Sequence, residues 1–338
     1  MARKSFALLT LVVAVVLGLA APTLAQSDLE VIADGLNNPR GISYGSDGTL
    51  YIVESGNGGG LEVMGPFGSP VDFGGSGQLT AVAPDGTKST LVVNLASMDG
   101  GSRGAMDALV TGDSIWLALG DAPLSAPFTM GVVELDRETM RIRRFIDVYA
   151  YEAANNPDGD IISTNPSDLA LADDGTLFIA DASCNCVLTW TAEDGLQTFA
   201  AWSIDDNPVP TSVALGPQGD VYVGFLSGFP FPAEGSRIER YSPDGELLQT
   251  YEGLTTVVSL LVDDMGTLYA VEYGRFGDAG FEPGTGRLVT VSEAGITPVL
   301  EGLTHPYGLA QAPDGTMALV VNSTGEPGSG QVVAVPGM

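Results

Sequence analysis

Apolar residues in this chain come in short runs, and glycine or proline closes almost every one. Leu50-Tyr-Ile-Val53, Leu177-Phe-Ile-Ala180, Val221-Tyr-Val-Gly-Phe225 and Leu268-Tyr-Ala-Val271 are apolar at nearly every position. A strand with one wet face would alternate apolar and polar residues. Short, continuous runs bounded by turn residues predict strands covered on both faces. Glu134–Ile146 has a spacing compatible with a helix, but its place in the pattern predicts two strands.

The pattern repeats. Pro39–Glu54 reads as a small or polar opening, an apolar strand, a glycine turn and a second apolar strand. The same order returns at Met106–Leu119, Pro166–Asp181, Pro210–Phe225, Val257–Glu272 and Pro306–Val321. A second hairpin follows within the copies, with turns such as Pro84-Asp-Gly86, Glu193-Asp-Gly195, Ser242-Pro-Asp-Gly245 and Glu293-Ala-Gly295. Proline presets φ, aspartate bonds its own backbone and glycine accepts positive φ, so these residues suit tight turns. Four strands in meander order make one propeller blade. The sequence therefore predicts an all-β fold, a six-bladed β-propeller of four-stranded antiparallel blades. The last copy lacks a fourth strand. Val31-Ile-Ala-Asp-Gly-Leu36 resembles Val299-Leu-Glu-Gly-Leu303, and both precede a proline by two residues. The N-terminal strand is thus expected to complete the last blade and close the ring, leaving no open edge.

Arg3 and Lys4 precede an uncharged apolar run from Phe6 to Ala21, and Thr23-Leu24-Ala25 offers small residues for cleavage. Residues 1–25 read as a signal peptide, shorter than a membrane span needs. Residues 26–338 are expected to form one domain, secreted to an extracellular or periplasmic space. Losing the leader takes the net charge from −29 to −31. Such a chain is a poor partner for nucleic acid or an anionic membrane, which require a basic footprint. One histidine and two cysteines exclude a site built on two histidines or four cysteines.

Meander topology places the hairpin turns on one face and the longer connections on the other. The long connections carry aromatic residues, including Phe67, Trp202, Phe229, Phe231, Phe276 and Phe281. Long loops on a rigid scaffold commonly bind ligands, although such rings also cap blade ends. Gly41, Asp107, Asp168, Ser212, Ser259 and Gly308 open the inner strands and should ring the channel, with Arg40 and Tyr307 beside them. Glu54, Asp181 and Glu272 end the second strand in alternate copies. They suit Ca²⁺, which prefers oxygen ligands, but turn capping through backbone N–H groups is the favoured role. No cofactor is required, and Ca²⁺ is the one metal to consider. Asn155–Asp160 is expected to be an ordered loop. Gly100-Gly-Ser-Arg-Gly104 matches a nucleophile elbow by chance, since an elbow joins a strand to a helix. Cys184-Asn-Cys186 reads as two thiols in a turn or a weakly held disulfide.

Tyr151-Glu-Ala-Ala-Asn-Asn-Pro-Asp-Gly159, Ser163-Thr-Asn-Pro166, Pro210-Thr-Ser-Val-Ala-Leu-Gly-Pro217 and Tyr222–Pro232 are similar to motifs of the ScyD/ScyE family, as is Gly35-Leu-Asn-Asn-Pro-Arg-Gly41. The resemblance covers essentially all of the chain after the leader. It implies a secreted six-bladed propeller related to proteins associated with scytonemin synthesis, and it supplies no catalytic residues.

The expected function is binding of a small, partly aromatic ligand or a partner protein on the long-loop face. Phe229, Phe231, Trp202 and Tyr307 would stack on it. Arg40, Glu54, Asp107, Asp168, Ser212 and Glu272 would supply polar contacts. The alternative is a Ca²⁺-dependent lactonase of the gluconolactonase-like propeller type.

Overall fold

The computed structural model describes residues 25–64, 70–101, 103–123 and 125–337. The expected leader, apart from Ala25, lies outside the described residues, as do Phe67 and Ser102. The fold is an all-β propeller. The third copy is a four-stranded antiparallel meander of Pro166–Leu171, Leu177–Asp181, Cys186–Thr191 and Gly195–Ala201. The fourth comprises Pro210–Leu215, Val221–Phe225, Ser236–Tyr241 and Leu247–Leu254. The fifth comprises Val257–Val262, Leu268–Glu272, Gly286–Ser292 and Gly295–Leu303.

The first two copies join into one nine-stranded sheet. Pro39–Tyr44, Leu50–Glu54, Pro70–Val82 and Lys88–Met98 run in order, followed by Arg103–Thr111, Ser114–Leu119, Gly131–Asp136 and Ile142–Asp147. The join is short: Ser97 faces Gly104 and Met98 faces Arg103. Glu134–Ile146 is strand, as the repeat predicts.

The inner turns follow the expected chemistry. Asp47 accepts the Thr49 N–H at 3.1 Å, and Gly48 takes φ 79°. Asp174 and Asp314 do the same for Thr176 and Thr316. Apolar faces of neighbouring sheets then pack together. Trp116, Ala118 and Val132 of the second copy share a core with Leu169, Leu177 and Ile179 of the third. This explains runs that are apolar on both faces.

The sequence pattern missed several short elements within the connections. The connection ahead of Pro166 contains a helix, Val148–Asn155, whose N-cap Asp147 accepts the Ala150 N–H. Asn156, left-handed at φ 42°, ends it. After Glu54, Leu61–Met64 is a short strand that pairs with the start of Pro70–Val82. Cys184 and Cys186 form a disulfide, the second of the two alternatives for that turn.

The chain's two ends meet in one sheet. Val31–Leu36 pairs antiparallel with Gly330–Val335, next to Met317–Val321 and Leu309–Gln311. Gln26 reinforces the join, donating to Asn322 at 3.2 Å and accepting the Thr304 N–H at 2.6 Å. Leu36 is 1% exposed in the core this strand completes. Leu36→Ala should cost about 2–5 kcal/mol, the usual loss for a buried leucine. Urea unfolding checks this, and a chain beginning at Asn37 should lose far more, because both edges then lie open.

Candidate functional site

A repeated irregularity builds the site. Register shifts fall between Pro39 and Ile42, Ala105 and Asp107, Pro166 and Asp168, Pro210 and Ser212, and Val257 and Ser259. A β-bulge re-aims the side chain at the extra residue. Here those residues are Arg40, Met106, Ser167, Thr211 and Val258. With Tyr307 of the sixth copy they line one cavity of about 440 Å³. Its walls come from the long connections, including Asn165, Ala182, Val209, Leu226, Tyr273, Phe281, His305 and Thr324. This is the mouth on the long-loop face.

The next residue of each inner strand approaches the axis. Gly41, Asp107, Asp168, Ser259 and Gly308 line a second cavity of about 300 Å³ that extends toward the inner turns. Ser212 is fully buried behind it. Met106, Ser167, Val258 and Tyr307 line both cavities and mark the waist between them. Side chains have little room at the axis. A Cβ on Gly41 would stand 1.9 Å from Asp107 Oδ1, and one on Gly308 2.4 Å from the Arg40 carbonyl oxygen.

Asp107 and Asp168 form a hydrogen-bonded pair. Ser212 Oγ donates to Asp168 Oδ2 at 2.6 Å, and the Val213 N–H at 2.9 Å. Ser212 Oγ in turn accepts the Leu260 N–H at 2.8 Å. Burial and the adjacent Asp168 charge push the Asp107 carboxyl well above the ordinary carboxylate range. Burial also raises Asp168, against the pull of its Ser212 and Val213 donors. Two carboxylates in contact do not both ionise readily, so their closeness favours keeping a proton on the pair, and its bonds to Ser212 and Val213 join three copies.

The mouth is different in character. None of its fourteen lining residues is acidic, in a chain with 42 Asp and Glu. Arg40 is 4% exposed, donates from Nη2 to the Gly101 carbonyl at 3.1 Å and lies 4.8 Å from the Tyr307 ring centre. Its Nε has no partner among the described residues. Burial pushes the Tyr307 hydroxyl up to about 12, despite Arg40. It therefore stays protonated and able to donate. His305 stacks on Tyr273 at 5.2 Å, with its two ring nitrogens 3.2 and 3.3 Å from the carbonyls of Thr324 and Phe281. The Tyr273 hydroxyl bonds Thr324 at 2.5 Å. From this wall an aromatic series runs outward through Phe281 to Phe276, Phe231 and Phe229 with ring separations of 4.8–6.0 Å. Phe229 ends it at 77% exposure.

The structure separates the sequence candidates. Arg40 and Tyr307 line the mouth, and Asp107 and Asp168 line the lower cavity. Phe229 and Phe231 stand on the rim series. Glu54 and Glu272 line neither cavity. Glu54 accepts from Asn37 N at 2.7 Å and from Gln78 and Thr80, while Glu272 accepts from Thr255 N at 2.7 Å and from Arg287. Asp181 likewise accepts from Asn165 N at 2.7 Å and from Ser183 and Cys184. These acids cap the backbone that enters the inner strand. Trp202 packs on Phe225 at 4.9 Å and donates to Glu239, and it does not line the mouth. Ser212 spends its hydroxyl on Asp168. Ser102 of the elbow match lies outside the described residues, and both His305 nitrogens face carbonyls. The sequence reading left out Tyr273 and His305 as mouth residues; each lies at the same repeat position as residues flanking the other inner strands.

Calcium takes six to eight oxygen ligands. The described residues contain no group of three or more His, Cys, Asp or Glu side chains placed to hold a metal. In the channel, two carboxylates bond to each other, and the alternate acids turn to backbone amides.

No family model and no curated protein matches the chain. Among solved structures, it is similar to a streptogramin B lyase, at 13% identity and TM-score 0.55, covering 91% of this chain and 97% of that one. It is similar to a gluconolactonase from Xanthomonas campestris, at 13% identity and TM-score 0.57, covering 90% and 88%. A calcium-binding protein, regucalcin, from Agrobacterium tumefaciens matches at 13% identity and TM-score 0.55, covering 92% and 95%. These neighbours are β-propellers, and at such identity the likeness carries the fold alone.

Among the described residues, one buried acid has no hydrogen-bond partner. Glu152, 1% exposed on the helix Val148–Asn155, has no partner at either carboxylate oxygen among the described residues. Burial, then the charges of Asp181 and Asp158, raise it to about 7. Glu152 and the Asp107–Asp168 pair act in one direction on stability. Below about pH 4 the folded and unfolded chains both hold these protons. As pH rises toward neutrality the unfolded chain releases them first, so stability falls, by about 1.4 kcal/mol for each unit of raised pKa. The melting temperature should therefore decline from pH 5 to pH 7.5. Asp107→Asn, which bonds Asp168 without a shared proton, should flatten that decline; an unchanged slope would remove the pair from the account.

Proposed function

We propose that this chain is an exported six-bladed propeller, related to the ScyD/ScyE proteins, that binds a small aromatic molecule in its long-loop mouth. The blade count is supported by the sixfold repeat and by the division of the nine-stranded sheet into two four-stranded meanders at a two-residue join. Export is supported by the basic, apolar and small-residue order of residues 1–25. The carrying observation is the mouth cavity. Its volume of about 440 Å³ falls within the usual range of small-molecule sites. Apolar and aromatic walls line it, and the exposed ring series leads into it. Rigid aromatic faces give a planar ligand contact area at low entropic cost.

Leu226 lies on the cavity wall, so Leu226→Trp should fill the space. A panel of mono- and bicyclic aromatic compounds is expected to raise the melting temperature of the wild type and leave that variant unmoved. An equal response in both would move binding elsewhere.

The alternative, a Ca²⁺-dependent lactonase, has the likeness to gluconolactonase in favour of its fold. The donor set weighs against it. Chelation with EDTA followed by added calcium should shift melting by less than about 1 °C. A large calcium-dependent gain would revive the enzyme reading.

A further inference from the structure

We infer that the mouth is selective for an anionic aromatic ligand, an arene carboxylate whose charged group docks on Arg40. The inference rests on the aromatic-ligand reading above and adds the charge of the ligand.

Six equivalent strand positions meet at the cavity floor, and five of them carry Met106, Ser167, Thr211, Val258 and Tyr307. Only Arg40 brings a full charge there. A buried arginine is normally paired with a carboxylate or fully hydrogen-bonded, because an isolated charge is costly to remove from water. Arg103, Arg137, Arg143, Arg144, Arg237 and Arg287 each pair with an acid. Arg40 has no acid within ion-pairing distance among the described residues, although Asp107 and Asp168 act on its neighbour Tyr307. One carbonyl and one ring face satisfy it, and Nε has no partner.

Guanidinium is weakly hydrated, stacks on aromatic rings and offers a planar set of donors that matches a carboxylate. The Tyr307 ring holds the group in place, so little further ordering accompanies ligand binding. No acid lines the mouth, although the chain as a whole is strongly negative and the Asp107–Asp168 pair below the waist acts on Tyr307, so Arg40 is the charge nearest to an anion seated there. The two parts of the site then divide the work. Arg40 receives the carboxylate at the floor, and Tyr273 with Phe281 receives the ring against the wall.

Paired probes test this: 2-naphthoate and its neutral isostere 2-naphthamide, titrated by calorimetry into the mature protein. The wild type should bind the carboxylate at least about tenfold more tightly. Arg40→Met should abolish the preference while keeping amide affinity, and Arg40→Lys should restore part of it. Leu226→Trp should remove both probes. Equal wild-type affinities, lost together in Leu226→Trp, would overturn the charge inference and leave the aromatic site standing; this comparison needs no variant at Arg40. A preference that survives in a folded Arg40→Met would overturn it as well. Failure of the wild type to bind either probe would overturn this inference and the aromatic-ligand reading together.

Discussion

The fold depends on how closely its inner strands approach the central axis. At one position per strand the side chain must be absent or short, because the neighbouring strand occupies the adjacent space. Gly41 has no room for a Cβ beside Asp107, and Gly308 has none beside the Arg40 carbonyl. Where a side chain is present it is polar, and Ser212, Asp168 and Asp107 are bonded across copies in a chain that starts at the Leu260 N–H. Burying such groups is tolerable only when each finds a partner. The Asp107–Asp168 pair meets that demand through its mutual contact and the Ser212 and Val213 donors.

The same crowding creates the site. A strand that brings its axis residue so close must break its register, and the bulge there turns the preceding residue toward the long-loop mouth. One strand feature thus supplies both an inner ring of short residues and a floor of six varied ones. The repeat preserves the geometry, and the identity of the floor residues gives the mouth its chemistry. Caps formed by Glu54, Asp181 and Glu272 hold the connections that become its walls.

Much of the architecture was legible along the chain because its signals are local or periodic. Asp-Gly turns, apolar runs and the spacing of the copies each act over a few residues, and the likeness of Val31–Leu36 to Val299–Leu303 pointed to the pairing of the chain's ends. The division of site residues was less accessible. Glu54 and Glu272 look like channel acids in one dimension, yet backbone amides a few ångströms away claim their oxygens. Trp202 lies in a long connection, as a ligand-stacking residue would, but Phe225 and Glu239 hold it in the blade. The helix at Val148–Asn155 escaped because a short helix in a long connection has no repeat to announce it.

By itself the sequence determined the strand-and-turn order, the all-β class and the set of small or polar residues at the axis, since propensity and period act through near neighbours. Tertiary structure alone decided which polar groups are spent on one another and which stay available. Hydrogen bonds saturate, so a carboxylate or guanidinium is free for a ligand only if no closer partner has taken it. That choice depends on groups far apart in the chain: Asp107 has Asp168, Glu54 has Asn37, and Arg40 keeps a donor without a partner among the described residues.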